Sequence, residues 1–168
     1  MKEIYFAGGC FWGTDHYLKQ INGVISTEVG YANGHTEHPT YQEVYTDNTG
    51  YAECVKVVYN PSVITIEYLV ELFFRSIDPL ALNRQGNDCG TRYRTGVYYI
   101  DNDDVSTIKS VFESVEMTIG EPLVVELEPL RSFHPAEEYH QDYLDKNPNG
   151  YCYIPLALMM MAKLANKK

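Results

Sequence analysis

The sequence has 168 residues, with 23 Asp plus Glu against 13 Lys plus Arg and a formal net charge of −10. That length fits one domain, expected over residues 1–168, and 45% hydrophobic with 21% charged residues excludes a disordered, collagen-like or coiled-coil chain. The acidic balance excludes the broad cationic face that nucleic acid or an anionic membrane demands.

The pattern along the chain alternates strand and helix. Residues 4–7 read as a short buried strand, and Gly8-Gly9 turns the chain into a helix expected over 10–20. Residues 24–32 and 53–59 read as further strands, the latter with Val55, Val57 and Tyr59 on one face and Cys54, Lys56 and Val58 on the other. Thr65 caps a helix whose apolar stripe is Ile66, Leu69, Val70, Phe73 and Ile77. Residues 78–94 form a polar loop of the kind that carries function. A strand follows over 95–100, then a helix marked by Val105, Ile108, Phe112 and Val115 and stopped by Gly120 and Pro122. Residues 123–127 read as a last strand, and Pro135 opens a helix through residue 144. The sum is an α+β fold, a two-layer sandwich with helices packed on a mixed β-sheet, built as a ferredoxin-like core with additions. Residues 146–168 are expected to form a C-terminal segment of the same domain.

The start of the chain lacks the apolar core of a signal peptide, and the apolar run 154–162 is far shorter than the roughly 18 to 20 residues that span a bilayer. The expected location is cytoplasmic. In that reducing setting the four cysteines, at 10, 54, 89 and 152, are catalytic, metal-binding or inert. No metal is expected, because C-x-x-C is absent and His35 and His38 lie in a Gly/Asn/Pro-rich loop.

Cys10 lies in Gly8-Gly9-Cys10-Phe11-Trp12-Gly13, between a strand end and a helix start, where backbone N–H groups and the helix dipole favour a thiolate. Phe11 and Trp12 supply an apolar wall suited to a methyl group. Local chemistry alone leaves a nucleophile and a buried structural cysteine equally open.

The run GGCFWG resembles the signature of the A-type peptide methionine sulfoxide reductases. Further segments resemble that family's motifs in order: Gly30-Tyr31-Ala32-Asn33-Gly34, Pro39-Thr40-Tyr41-Gln42-Glu43-Val44, Thr49-Gly50-Tyr51-Ala52-Glu53, residues 85–94, His140-Gln141-Asp142-Tyr143-Leu144 and Asn147-Pro148-Asn149-Gly150-Tyr151-Cys152. The resemblance implies thiol-dependent reduction of methionine-S-sulfoxide, protein-bound or free, without a cofactor. It implies Cys10 as nucleophile, Phe11 and Trp12 as the methyl pocket, and Glu53 as the acid that protonates the sulfoxide oxygen. Tyr41 and Tyr93 would donate to that oxygen, and Asp88 would meet the substrate backbone N–H. Cys152 would resolve a Cys10 sulfenic acid as a disulfide, with thioredoxin as reductant and the enzyme a monomer. His140 and Tyr143 are expected as supports behind the site, on one face of the 136–144 helix. Cys54 and Cys89 receive no role.

The sequence departs from the family pattern at Asp15, Tyr51, Arg92 and Thr95, of which Tyr51 borders Glu53. Residue types alone also admit a Cys-His acyl hydrolase using Cys10 with His134 or His140, and a noncatalytic module that holds methionine-like side chains on Phe11 and Trp12.

Overall fold

The computed structural model describes residues 1–165, so the last three residues of the expected 146–168 segment lie outside the described residues. Its main sheet contains β1 (Lys2–Gly8), β2 (Val24–Ala32), β3 (Ala52–Tyr59), β6 (Thr95–Tyr99), β7 (Glu126–Pro129) and β8 (Phe133–Pro135). Their spatial order is β7-β6-β1-β3-β2-β8. The helices are α1 (Phe11–Leu18), α2 (Tyr41–Tyr45), α3 (Ile66–Phe74), α4 (Val105–Ile119), α5 (Tyr143–Lys146) and α6 (Leu156–Leu164), and β4 (Arg84–Gln85) with β5 (Asp88–Cys89) forms a small hairpin.

Strands β1, β2, β3 and β6, with crossovers α1 and α3, make a βαββαβ core in which every strand pair is antiparallel. The additions are β7, parallel to β6 after the α4 crossover, and β8, antiparallel to β2. This is the α+β mixed sheet with packed helices that the pattern predicts, and Ile4, Phe6, Val29, Val55, Val57, Leu69, Val70 and Phe73 join one core between sheet and helices. The opposite face carries Tyr5, Ala7, Ala32, Ala52, Cys54 and Tyr98, small enough in the middle to seat Leu130 and Phe133. Because side chains alternate along β3, Glu53 shares the helix-covered face with Val55 and Val57.

Several elements differ from expectation. α1 stops at Leu18, after which Gln20 N–H and Ile21 N–H turn back to Tyr17 O and Leu18 O. The strand expected at 123–127 begins only at Glu126, since Leu123 N–H goes to Glu116 Oε1 and Val124 N–H to Pro79 O, off the sheet. The 135–144 helix does not form. Its first residues pair with β2, a 3-10 turn covers Glu138–His140, Gln141 is extended, and Asp142 is left-handed at φ 52°. Gln141 acts as a rung of the sheet, its Oε1 accepting Val29 N–H while its Nε2 donates to Val29 O and Ala136 O. Finally, the 154–162 apolar run holds most of an unforeseen helix, α6, which packs on α1 through Met159 and Ala162. Among the described residues, no helix is long and apolar enough to cross a membrane.

Candidate active site

Cys10 stands at the end of β1, immediately before α1, and is 8% exposed. The backbone N–H groups of Trp12 and Gly13 reach its sulfur, as a helix start requires. They do not win. Burial, and then the negative charge of Glu53, push the Cys10 thiol well above its usual range, which corrects the expectation of a ready thiolate.

Glu53, 1% exposed, lies directly beneath. Its Oε1 accepts the Phe11 N–H at 3.1 Å. Burial raises its carboxyl from 4.5 to about 8, against the Phe11 hydrogen bond and Arg92, both of which favour the ionised form. At neutral pH the group is therefore mostly a neutral acid, and in that form it removes the charge that opposes ionisation of Cys10. Tyr51 does not enter this balance; its hydroxyl donates to Thr36 O and its ring packs edge-on against His134.

Two phenols face the same centre. Tyr41 is the first residue of α2, held there by a capping box in which Glu43 N–H donates to Thr40 Oγ1 and Thr40 N–H to Glu43 Oε1. Burial and then Glu53 raise the Tyr41 phenol to about 12, and the same two causes lead the rise of Tyr93. Both are neutral donors at any physiological pH. Asp88, in the β4–β5 hairpin, engages Tyr151, while its Oδ2 is buried with no hydrogen-bond partner among the described residues.

Phe11 is buried, packed against Tyr31 and His140, whereas Trp12 keeps an accessible edge. Trp12 stacks on Tyr143 with ring centres 3.7 Å apart and planes 11° from parallel, and its Nε1–H donates to His140 Nδ1 at 3.0 Å. That bond leaves the His140 proton on Nε2, and burial lowers the ring's affinity for a second one. His140 and Tyr143 thus sit where support residues were expected, although the helix expected to carry them is absent. Lys19 ties the arrangement together: its Nζ bonds Asp142, meets Asp145 at 2.8 Å and Asp15 at 3.2 Å, joining α1 to the turn that carries Tyr143.

Cys152 lies against α1 so closely that a methyl group on Gly13 would meet its sulfur at 3.1 Å. It lines a cavity of about 380 Å³ with His16, Leu144, Ile154 and Met159. A cavity of about 470 Å³ between α3 and α4 holds none of the expected site residues. All four cysteines are free thiols; Cys54 is sealed in β3 and Cys89 is exposed. The fold therefore gathers Cys10, Phe11, Trp12, Tyr41, Glu53, Asp88, Tyr93, His140, Tyr143 and Cys152 into one region. Sequence reasoning missed Asp47, whose carboxylate takes Arg92 Nη1 at 2.6 Å and Arg92 N–H at 3.0 Å. That pair holds the guanidinium over the Tyr45 and Tyr93 rings, and nothing in its spacing along the chain announces it.

The model of the peptide methionine sulfoxide reductase family matches residues 2–168. The peptide methionine sulfoxide reductase MsrA of Clostridium acetobutylicum is 51% identical over 159 residues, covering 95% of this chain and 98% of that protein. The solved structure of Mxr1 from Saccharomyces cerevisiae in reduced form is 40% identical, with a TM-score of 0.86 over 90% of this chain and 88% of its own. A second structure, of Mxr1 in complex with Trx2, is 28% identical with a TM-score of 0.60 and covers 84% of each chain. The chain belongs to the peptide methionine sulfoxide reductase family. It is accordingly an enzyme, an oxidoreductase.

Proposed function

We propose that this chain reduces the S epimer of methionine sulfoxide, in proteins or free, by a three-step thiol cycle. The Cys10 sulfur attacks the sulfoxide sulfur while Glu53 gives its proton to the oxygen. Tyr41 and Tyr93 donate hydrogen bonds to the same oxygen as charge grows on it. The oxygen ends on Cys10 as a sulfenic acid and methionine leaves. Cys152 then attacks the Cys10 sulfur, water departs, and a Cys10–Cys152 disulfide remains. An external dithiol protein returns both thiols and is itself oxidised. A thioredoxin is the reductant this reading favours, in keeping with the Mxr1–Trx2 complex. Trp12 offers the apolar surface for the methyl group, with Phe11 as its buried backing, and Asp88 Oδ2 is free to accept a substrate N–H. Such an enzyme repairs oxidised methionines as a monomer in a reducing cytoplasm.

The observation that carries the proposal is the buried Glu53, with its carboxyl raised to about 8 and bonded to the backbone N–H next to Cys10. A sulfoxide reductase needs an acid that is still protonated at neutral pH beside its nucleophile. A Cys-His hydrolase fits less well, because His140 Nδ1 is taken by Trp12 and His134 packs against Tyr51 and His38. The test is turnover of each epimer of a methionine sulfoxide derivative with dithiothreitol. Turnover of the S epimer alone, abolished in Cys10→Ser, is expected; no turnover of either epimer sinks the reading.

A further inference from the structure

Tyr153 follows the proposed resolving cysteine, and no motif in the sequence marks it. Its hydroxyl donates to Gly8 O at 2.5 Å and lies 3.2 Å from Ser76 O, so it is anchored to the turn that presents Cys10 and to the end of α3. Thr14 Oγ1–H donates to that same Gly8 O at 3.1 Å, and the Tyr153 hydroxyl also interacts with Thr14. The ring lies between two glycines with positive φ. A Cβ on Gly86, at φ +59°, would stand 2.8 Å from Tyr153 Cβ, and one on Gly9, at φ +86°, would stand 3.4 Å from the ring. Burial, and then the sulfurs of Cys10 and Cys152, hold the phenol proton in place, so the hydroxyl is a permanent donor.

These contacts have a geometric consequence for the neighbouring residue. A disulfide forms only when two Cα atoms come within about 4.4 to 6.8 Å with their side chains converging. Cys152 already touches Gly13, one turn along the helix from Cys10, and its neighbour is bonded to the carbonyl two residues before Cys10. On the other side, Tyr151 engages Asp88.

We infer that Tyr153 is a positioning residue for the recycling step: its hydroxyl, bonded to the Gly8 carbonyl, holds the 151–154 segment on the active-site turn and thereby sets the effective concentration of the Cys152 thiol at Cys10. This rests on the reading of Cys152 as the resolving thiol. The clamp acts after oxygen transfer, so it governs closure of the disulfide and leaves methionine formation alone.

The experiment compares the full chain with Tyr153→Phe, which keeps the ring and removes the one donor. Reduced protein is mixed with one equivalent of S-sulfoxide without reductant, and methionine release, dimedone-trapped Cys10 and disulfide are followed in time. In Tyr153→Phe, methionine release within about twofold of the unmodified rate is expected, with disulfide closure slowed about fivefold, the factor commanded by one buried hydrogen bond. The dimedone adduct rises in proportion. Closure at the unmodified rate overturns the inference, as does parallel loss of methionine release, which makes Tyr153 a prop of the nucleophile itself. Failure of the unmodified protein to form a Cys10–Cys152 disulfide is a different result, and it removes the role of Cys152 along with the clamp.

Discussion

The Phe11 backbone N–H donates to Glu53 Oε1 at 3.1 Å, so the first residue of α1 is bonded to the side chain of β3 that lies beneath Cys10. The nucleophile's helix and the proposed acid cannot shift apart without breaking this buried bond. The same bond favours the ionised carboxylate, and burial outweighs it.

With the carboxyl raised to about 8, the fraction of protonated Glu53 falls as pH rises through that value. The expected kcat/KM for the S-sulfoxide therefore declines above about pH 8. Glu53→Gln, which keeps the shape without a transferable proton, loses on the order of a hundredfold or more and shows no such limb. A pH–rate profile of both proteins checks this.

The same shift has a stability consequence. The unfolded chain releases this proton near 4.5 and the folded one near 8, so the folded state binds more protons in between. Stability from this group is complete below about 4.5 and is lost as pH rises to about 8, by at most about 5 kcal/mol. Urea midpoints at pH 4 and pH 9 are expected to show Glu53→Gln gaining on the unmodified protein at the higher pH.

Trp12→Phe removes the donor to His140 Nδ1 and shortens the stack on Tyr143. The remaining groups around Cys10 are untouched. The expected result is a KM roughly fivefold higher with kcat nearly unchanged, since a lost hydrogen bond of about 1 kcal/mol acts on binding. Steady-state kinetics with a sulfoxide peptide measure it.

Gly13→Ala separates helix stability from recycling. Alanine favours a helix interior by about 1 kcal/mol over glycine. Its methyl group would also press on the Cys152 sulfur at 3.1 Å. A thermal midpoint equal to or above the unmodified one, together with slower disulfide closure, is expected by calorimetry and thiol trapping.

Neither remaining cysteine is expected to enter the cycle. Cys89→Ser, at an exposed site, leaves turnover and disulfide yield unchanged. Cys54→Ala costs roughly 1 to 2 kcal/mol as a small buried truncation and also leaves them unchanged. Peptide mapping of the oxidised variants would expose any pairing with Cys10.

The core strands and α3 were legible because their apolar periods are strong, and the position of Glu53 on the covered face follows from its parity with Val55 and Val57. Helix α2 was not foreseen, although the Thr40/Glu43 capping box at its start is a local signal for it. The rest depended on tertiary contacts. Gln141 leaves its expected helix to serve as a rung beside Val29, and the raised Cys10 thiol reflects burial by groups remote in sequence. Of the ten residues expected at the site, eight were carried by motif resemblance, and His140 and Tyr143 by the face of a helix that does not form. Arg92–Asp47 and Tyr153 have no comparable signal, because their partners are fixed by folding and not by spacing.

The sheet order also bears on how the molecule is made. β1, which ends two residues before Cys10, is flanked by β3 and β6, both of which follow it in the chain, so it must wait for both of its neighbours. Glu53 arrives with β3, Tyr93 just before β6, and Cys152 with its Tyr153 anchor only after α5. On a ribosome, the thiol at position 10 is thus present long before the residues proposed as its acid, its hydrogen-bond donors and its resolving partner. Until those segments dock, position 10 carries an ordinary cysteine, and the proposed redox chemistry waits on a residue made more than a hundred positions later.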